Sequence, residues 1–321
     1  MTDPVSQSRA LVERGDLQAA AMILKQSEEQ GDALAARELA LWCLTGQLIR
    51  RDLKTSRALF ERAARLGDDY SAAVTRAFVA GGVGGPSDWP RAMELLQDAA
   101  RTDPAASAQL DLIDQMDLGP DGDPQAAFEC RKLSDSPEVL LFPSLFSPAE
   151  CDFIIEAAGP ALRPSFVIDP VTRREVPNAV RTSEGAAFPF VDENPAIHAL
   201  NRRLAAASKS EVRAGEPLQV LRYSPGQQYR EHSDALPAVA PSEQRVLTFL
   251  VYLNQDYEGG ETAFPRIGLK VGGRLGDGLL FRNATPAGEP DPLAIHAGLP
   301  VVSGVKHLAS RWIRAAPLVL E

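Results

Sequence analysis

The chain has 321 residues, long enough for about two domains, and 33 basic against 43 acidic side chains give it a formal net charge of −10. That balance argues against a basic nucleic-acid footprint, and no stretch approaches the ~20 apolar residues of a membrane span. Three widely spaced cysteines (Cys43, Cys130, Cys151) form no CxxC pair and argue against a zinc site or a disulfide framework. The polar, acid-bearing N-terminus lacks an apolar leader segment, so a cytoplasmic location is expected.

The N-terminal third repeats. Asp16-Leu17, Asp52-Leu53 and Asp88-Trp89 stand 36 residues apart, and the same offset aligns Ala20 with Ser56 and Ala92, and Ile23-Leu24 with Leu59-Phe60 and Leu95-Leu96. Gly31 and Gly67 match, as do Gly46 and Gly82. The period fits a helix pair per copy: an aspartate caps the first helix, small residues permit close approach, apolar pairs fill the seam, and glycines end helices. One pair cannot bury its apolar face, so the copies must stack. The pattern, over about residues 10–115, resembles the SEL-type repeats of the tetratricopeptide superfamily, and the resemblance implies an array that binds a peptide or protein partner. The alternatives are an array that only stabilises the rest of the chain or forms a homodimer contact.

Residues 1–115 are thus assigned to the helical repeats. Residues 116–135, rich in Gly, Pro and Asp around a short helical piece (QAAFECRKL), are expected to be a linker. From residue 136 to 321 the pattern changes. PEVLLF predicts a strand, and Ser147, Pro148 and Glu150 predict a capped helix start. A second helix is expected over about 194–209. Short apolar or alternating runs follow: LQVLRY, RVLTFLVYLN, ETAFP, LKVGG, GLLFRN, AIHAG and VKHLASRWIRAA. Many short strands at close spacing predict a jelly roll. The segments 164–185, 235–243 and 283–294 read as loops, the first as a lid.

The chemistry lies in His232-Ser233-Asp234, His296 and Lys306. Two imidazoles and one carboxylate hold iron(II) and leave coordination positions open. A lysine ten residues beyond the third ligand can hold the far carboxylate of a 2-oxo acid. HxD alone is weak evidence, but here it sits in an ordered frame: LQVLRYSPGQQYREHSD, RVLTFLVYLN, EGGETAFP, GDGLLFRN, and HAGLPVVSGVKHLASRWI. Over about residues 137–318 this frame resembles the prolyl 4-hydroxylase-type iron(II)/2-oxoglutarate dioxygenases.

The resemblance implies that His232, Asp234 and His296 bind iron, and that Lys306 pairs with the distal carboxylate of 2-oxoglutarate, with Tyr223 and Thr248 beside it. It implies that Tyr229, Arg245 and Trp312 flank the reacting centre. Arg181 and Ser183, in an Arg-Thr-Ser element, together with Glu216, would contact substrate. It further implies O2 as co-substrate, ascorbate as a reductant, and a peptide or protein substrate. His307 departs from the pattern, standing where tryptophan is common. An intact Asp234 favours hydroxylation over halogenation. His198 and His307 are expected to be structural. The expected architecture is α+β and multidomain: an N-terminal all-α repeat array and a C-terminal double-stranded β-helix, or jelly roll, with flanking helices. The leading expectation is hydroxylation of a prolyl residue in a peptide or protein. One alternative keeps the chemistry but acts on a free amino acid or a lysyl or aspartyl side chain. Another is a repeat-based scaffold with an inactive or sensing oxygenase domain.

Overall fold

The computed structural model describes residues 3–168, 175–177, 180–285 and 287–318. They form two compact units: residues 3–123 with Phe190–Ala199, and Pro124–Pro189 with Leu200–Leu318.

The first unit is built from helices α1 (Pro4–Glu13), α2 (Leu17–Glu29), α3 (Ala33–Thr45), α4 (Leu53–Arg65), α5 (Asp69–Gly81), α6 (Trp89–Ala99) and α7 (Pro104–Ile113). The 36-residue period is the spacing of the starts of α2, α4 and α6. Each of these helices is capped by the expected aspartate: Asp16, Asp52 and Asp88 accept hydrogen bonds from the amides of Ala19, Thr55 and Arg91 at 3.1, 2.9 and 3.0 Å. Asp32, Asp68 and Asp103 cap the second helix of each pair in the same way. Helices α3 and α5 end at Gly46 and Gly82, whose φ values of 67° and 72° lie in the left-handed region. The small seam residues Ala20, Ser56 and Ala92 are fully buried. A serine is tolerated among them because its hydroxyl donates to the Ala40 carbonyl at 2.9 Å. Phe60 and Phe78 meet edge to face at 5.6 Å in the centre of the array. Helix α1, which begins before the repeat register, extends the array at its N-terminal end.

The second unit is antiparallel β structure. Its larger sheet has eight strands, in the spatial order Arg131–Asp135, Glu138–Phe142, Gly278–Arg282, Arg245–Tyr252, Lys306–Arg314, Gln219–Tyr223, Glu184–Ala187 and Arg163–Pro164. A four-stranded sheet runs Leu269–Val271, Thr262–Phe264, His296–Gly298, Tyr229–His232. Alternate residues of the large sheet, among them Leu221, Leu250, Leu279, Phe281 and Leu308, pack with Phe264 and Val271 of the small one. The core therefore lies between two sheets, as in a jelly roll. Two helices flank them. Helix α8 (Pro148–Ala158) opens on a reciprocal capping box between Ser147 and Glu150. Helix α9 (Pro195–Ser208) carries Arg203, which pairs with the buried Glu150 at 2.6 Å.

Two expectations are corrected. The segment assigned to a linker ends in a strand, Arg131–Asp135, and the helical piece expected there does not form. That strand is an exposed edge, so it carries no apolar alternation to betray it. Of the lid expected over 164–185, residues 169–174 and 178–179 lie outside the described residues. No helix among those described is long and apolar enough to cross a membrane.

Phe60→Ala deletes a fully buried ring from the array and is expected to destabilise the helical unit by about 3–5 kcal/mol. Urea unfolding followed by far-UV circular dichroism would measure the shift. A midpoint equal to wild type would contradict the packing described.

Candidate active site

Strand register assembles the site. His232 and His296 are direct partners across adjacent strands of the small sheet. Tyr223 and Lys306 are partners in the large sheet, as are Thr248 and Trp312. Side chains alternate along a strand, so Lys306, Leu308, Ser310 and Trp312 all line one cavity. Six residues at about 3.3 Å each separate Lys306 from Trp312, a span of roughly 20 Å.

Three candidate metal ligands converge there. His232 Nε2 lies 3.5 Å from one carboxylate oxygen of Asp234, and His296 Nε2 lies 3.5 Å from the other. Each imidazole turns its Nδ1 to a main-chain carbonyl, Arg230 at 2.8 Å for His232 and Ala294 at 3.1 Å for His296. Nδ1 must be the donor in such a bond, so both Nε2 lone pairs face the shared centre. Burial alone would raise the Asp234 carboxyl. The two histidines and the Thr248 hydroxyl outweigh it and hold the group below the usual carboxylate range. Burial pushes His296 down to about 4, against the pull of Asp234, so its imidazole is neutral near pH 7. Two imidazoles and an ionised carboxylate, with donor atoms within 4.8 Å of one another, form a donor set that fits a divalent iron. The strand ends at His232, so Asp234 reaches the cluster from the following turn.

The other expected residues divide into those that line the cavity and those that do not. Lys306 is fully buried and donates to the Gly260 carbonyl at 2.7 Å, near the rings of Tyr223 and Tyr252. Burial pushes its ammonium down to about 8, with Glu261 pulling the other way. Tyr223 lines the cavity, and burial raises its phenol. Tyr229 stacks on His232 at 3.5 Å and 11°. Arg181 also lines the cavity, with its guanidinium 5.7 Å from the Tyr229 ring centre and its Nε donating to Ser165 at 3.0 Å.

Thr248, expected beside the 2-oxo acid, does not line the cavity. Its hydroxyl donates to Asp234 at 2.7 Å and accepts from the Asn283 amide at 2.8 Å. Ser183, expected to contact substrate, is fully buried and faces the Tyr223 phenol. Glu216 and Arg245 are likewise outside the lining. Arg245 grips both carboxylate oxygens of Glu216 at 2.8 Å and lies 3.7 Å from the centre of the Trp312 ring, and Arg314 adds a second cation to Glu216. Of this trio only Trp312 reaches the cavity. Asn283, Arg314 and Gly260 are assigned no role by the sequence, because each acts through a partner distant in the chain.

The 2OG-Fe(II) oxygenase superfamily model matches residues 218–314. Prolyl 4-hydroxylase 1 of Arabidopsis thaliana is 37% identical over 199 residues, covering 57% of this chain and 70% of its own length. Probable prolyl 4-hydroxylase 9 of the same plant is 35% identical over 202 residues, with the same coverage. The viral collagen prolyl hydroxylase of Paramecium Bursaria Chlorella virus-1, in complex with 2OG, aligns at 31% identity with a TM-score of 0.45, covering 57% of this chain and 99% of that one. The chain belongs to the prolyl 4-hydroxylase-type iron(II)/2-oxoglutarate oxygenases. It is a 2-oxoglutarate-dependent dioxygenase whose cofactor and co-substrates are iron(II), 2-oxoglutarate and O2.

Thr248→Val keeps the side-chain volume but removes the hydroxyl that orients Asp234. Iron(II) affinity is expected to fall about 10–100-fold, the usual cost of losing an outer-shell partner. A metal titration monitored by cobalt(II) absorption would measure it, and unchanged affinity would remove Thr248 from the metal's support.

Proposed function

We propose that the enzyme hydroxylates a prolyl residue within a peptide or protein substrate, and that the helical array recruits that substrate. The observation that carries the reading is the cavity itself. The His232, Asp234 and His296 donors and the buried Lys306 open into the same space as Trp312, Tyr229 and Arg181. The kinship with plant prolyl 4-hydroxylases supports the choice of side chain.

Iron bound by His232, Asp234 and His296, together with 2-oxoglutarate and O2, would supply oxidative decarboxylation to succinate and CO2 coupled to hydroxylation of a C–H bond. The protein's residues do the rest. Lys306 would neutralise the distal carboxylate of 2-oxoglutarate, and the Tyr223 phenol, held protonated by burial, would donate to it. A cation this deeply buried is favoured by such a partner, because one carbonyl, two ring faces and the field of Glu261 leave its ammonium still pushed down to about 8. Leu221, Leu250 and Leu308 make that part of the cavity apolar and exclude water. At the other end Trp312, pinned by Arg245 and Glu216, presents an indole N–H that is buried and has no partner among the described residues. That N–H would donate to a substrate carbonyl. Arg181 and Tyr229 would close over the peptide beside His232.

His232→Ala is expected to abolish oxygen incorporation. The test is mass spectrometry of proline-containing peptides incubated with enzyme, iron(II), ascorbate and 2-oxoglutarate. If free proline, but no peptide, stimulates 2-oxoglutarate turnover, the peptide reading fails. Lys306 adds a pH signature. Its ammonium is charged below about 8 and is lost as the pH rises through that value. The Michaelis constant for 2-oxoglutarate should therefore climb above pH 8, while Lys306→Arg, which stays charged, should flatten the climb. A pH-independent Michaelis constant in wild type would detach Lys306 from that carboxylate.

A further inference from the structure

A second concavity lies wholly within the helical unit. It has a volume of about 410 Å³ and is enclosed by α4, α5 and α6. Arg57, Glu61 and Arg65 recur at helical spacing along α4, Thr75 and Arg76 face it from α5, and Arg91 faces it from α6. Small residues, Ala64, Ala72 and Ala99, keep the space open. The lining carries four arginines against one glutamate, in a chain whose net charge is −10.

Two of these side chains are hard to explain by folding alone. Thr75 and Arg76 are only 6% and 7% exposed. The Thr75 hydroxyl has no hydrogen-bond partner among the described residues. The Arg76 guanidinium has a single ion pair among them, to the half-exposed Asp103 at a loose 3.7 Å. A buried hydroxyl and a buried cation, each under-satisfied, both cost stability unless something polar and anionic completes them. Arg57 bonds the main-chain oxygens of Val83 and Pro86 and pairs with Glu61, so it is held in place at the edge. Arg65 is exposed and makes no ion pair among the described residues, and Arg91 has only the exposed Glu94 at 2.8 Å. The cations thus fall into a buried pole and an exposed rim.

We propose that this groove docks an acidic segment of a polypeptide, with one carboxylate seated on Arg76 and Thr75 and neighbouring carboxylates met by Arg65 and Arg91. Arginine forks suit carboxylates geometrically. Val79 and Leu95 supply an apolar wall for the methylenes of a glutamate or for an adjacent aliphatic residue. Nucleic acid is disfavoured, because its phosphates need a basic track longer than this one groove, and Glu61 and the chain's overall charge oppose one. The proposal rests on the recruitment reading above and adds its chemistry: the substrate, or a protein bound to it, carries a run of Asp or Glu at a distance from the modified residue.

Fluorescence anisotropy with the full chain tests it. The probes are a fluorescein-labelled oligoglutamate, an oligoglutamine of equal length, and an oligonucleotide of equal charge. Wild type is expected to bind oligoglutamate, less tightly as salt rises, and to ignore oligoglutamine. The double variant Arg65→Glu with Arg91→Glu changes only exposed side chains, so its fold should persist, and it is expected to lose about tenfold or more in oligoglutamate affinity. Thr75→Val should weaken binding in the same direction. Turnover of 2-oxoglutarate with a short proline peptide free of acidic residues should be the same in the double variant as in wild type. Equal binding of oligoglutamine, tighter binding of the oligonucleotide, or an affinity unmoved by the double variant would overturn the proposal. The anisotropy needs no turnover, so failure of prolyl hydroxylation leaves this result standing, and failure of docking leaves the oxygenase reading standing.

Discussion

The catalytic unit is organised around one buried carboxylate. Asp234 faces the Nε2 atoms of His232 and His296, each 3.5 Å away, and accepts the Thr248 hydroxyl at 2.7 Å. The two histidines belong to the small sheet and Thr248 to the large one, so this carboxylate ties together the two layers whose apolar faces form the core. An ionised group so deeply enclosed is costly unless every lone pair is engaged. Both imidazoles turn Nε2 toward this carboxylate and, with the Thr248 hydroxyl, favour its ionised form. A divalent metal held by His232, Asp234 and His296 would add its own charge to that stabilisation. The Arg230 and Ala294 carbonyls engage both Nδ1 atoms and so leave each Nε2 facing the shared centre, where a metal would bind.

The strand Lys306–Arg314 works as a ruler for the reaction. Its alternation puts Lys306, Leu308, Ser310 and Trp312 on one face, and its pairing with the strands of Tyr223 and Thr248 fixes what stands opposite each. A register slip of one residue would turn this whole row out of the cavity. The outward row is anchored separately: Arg311 donates to the main-chain oxygens of Asn201, Val212 and Glu216. Glu216 in turn carries the Arg245 clamp that fixes Trp312. A backbone anchor on one face and an ion-pair clamp on the other thus immobilise the same stretch, which gives the precision a positioned C–H bond demands.

What was legible in the sequence follows from how local each signal is. The aspartate caps at a 36-residue period name helix starts because a cap reads only its own next few amides. The His-x-Asp pair and the lysine ten residues past His296 name a chemistry because each is a short, local pattern, although register between strands and sheets is what brings them together. The support Thr248 gives Asp234 is not legible, because its partners Asp234 and Asn283 lie 14 and 35 residues away and are set by register between strands. Glu216 is expected at the substrate and Arg245 beside the reacting centre, yet the two form an ion pair outside the cavity lining; a charged pair beside a cavity and one that braces its wall look alike in a string of letters. The strand Arg131–Asp135 escaped notice because four of its five residues are exposed, and an edge strand with a solvated face has no apolar period.

The two units divide the electrostatic work. At the catalytic cavity charge is buried and matched: one carboxylate against the metal position, one ammonium awaiting a carboxylate. Such contacts are short-ranged and read the few atoms around the reacting carbon. The arginine groove is a small positive island on a chain of charge −10, so the net field repels an acidic polypeptide while the local field attracts one. Beyond a Debye length of about 8 Å at physiological salt both fields fade. An acidic segment therefore gains little from long-range steering and must be recognised in contact, where the buried Arg76 and Thr75 are worth most because water screens them least. If the proposed docking holds, recognition by the array would make the second encounter intramolecular and raise the local concentration of the reacting residue.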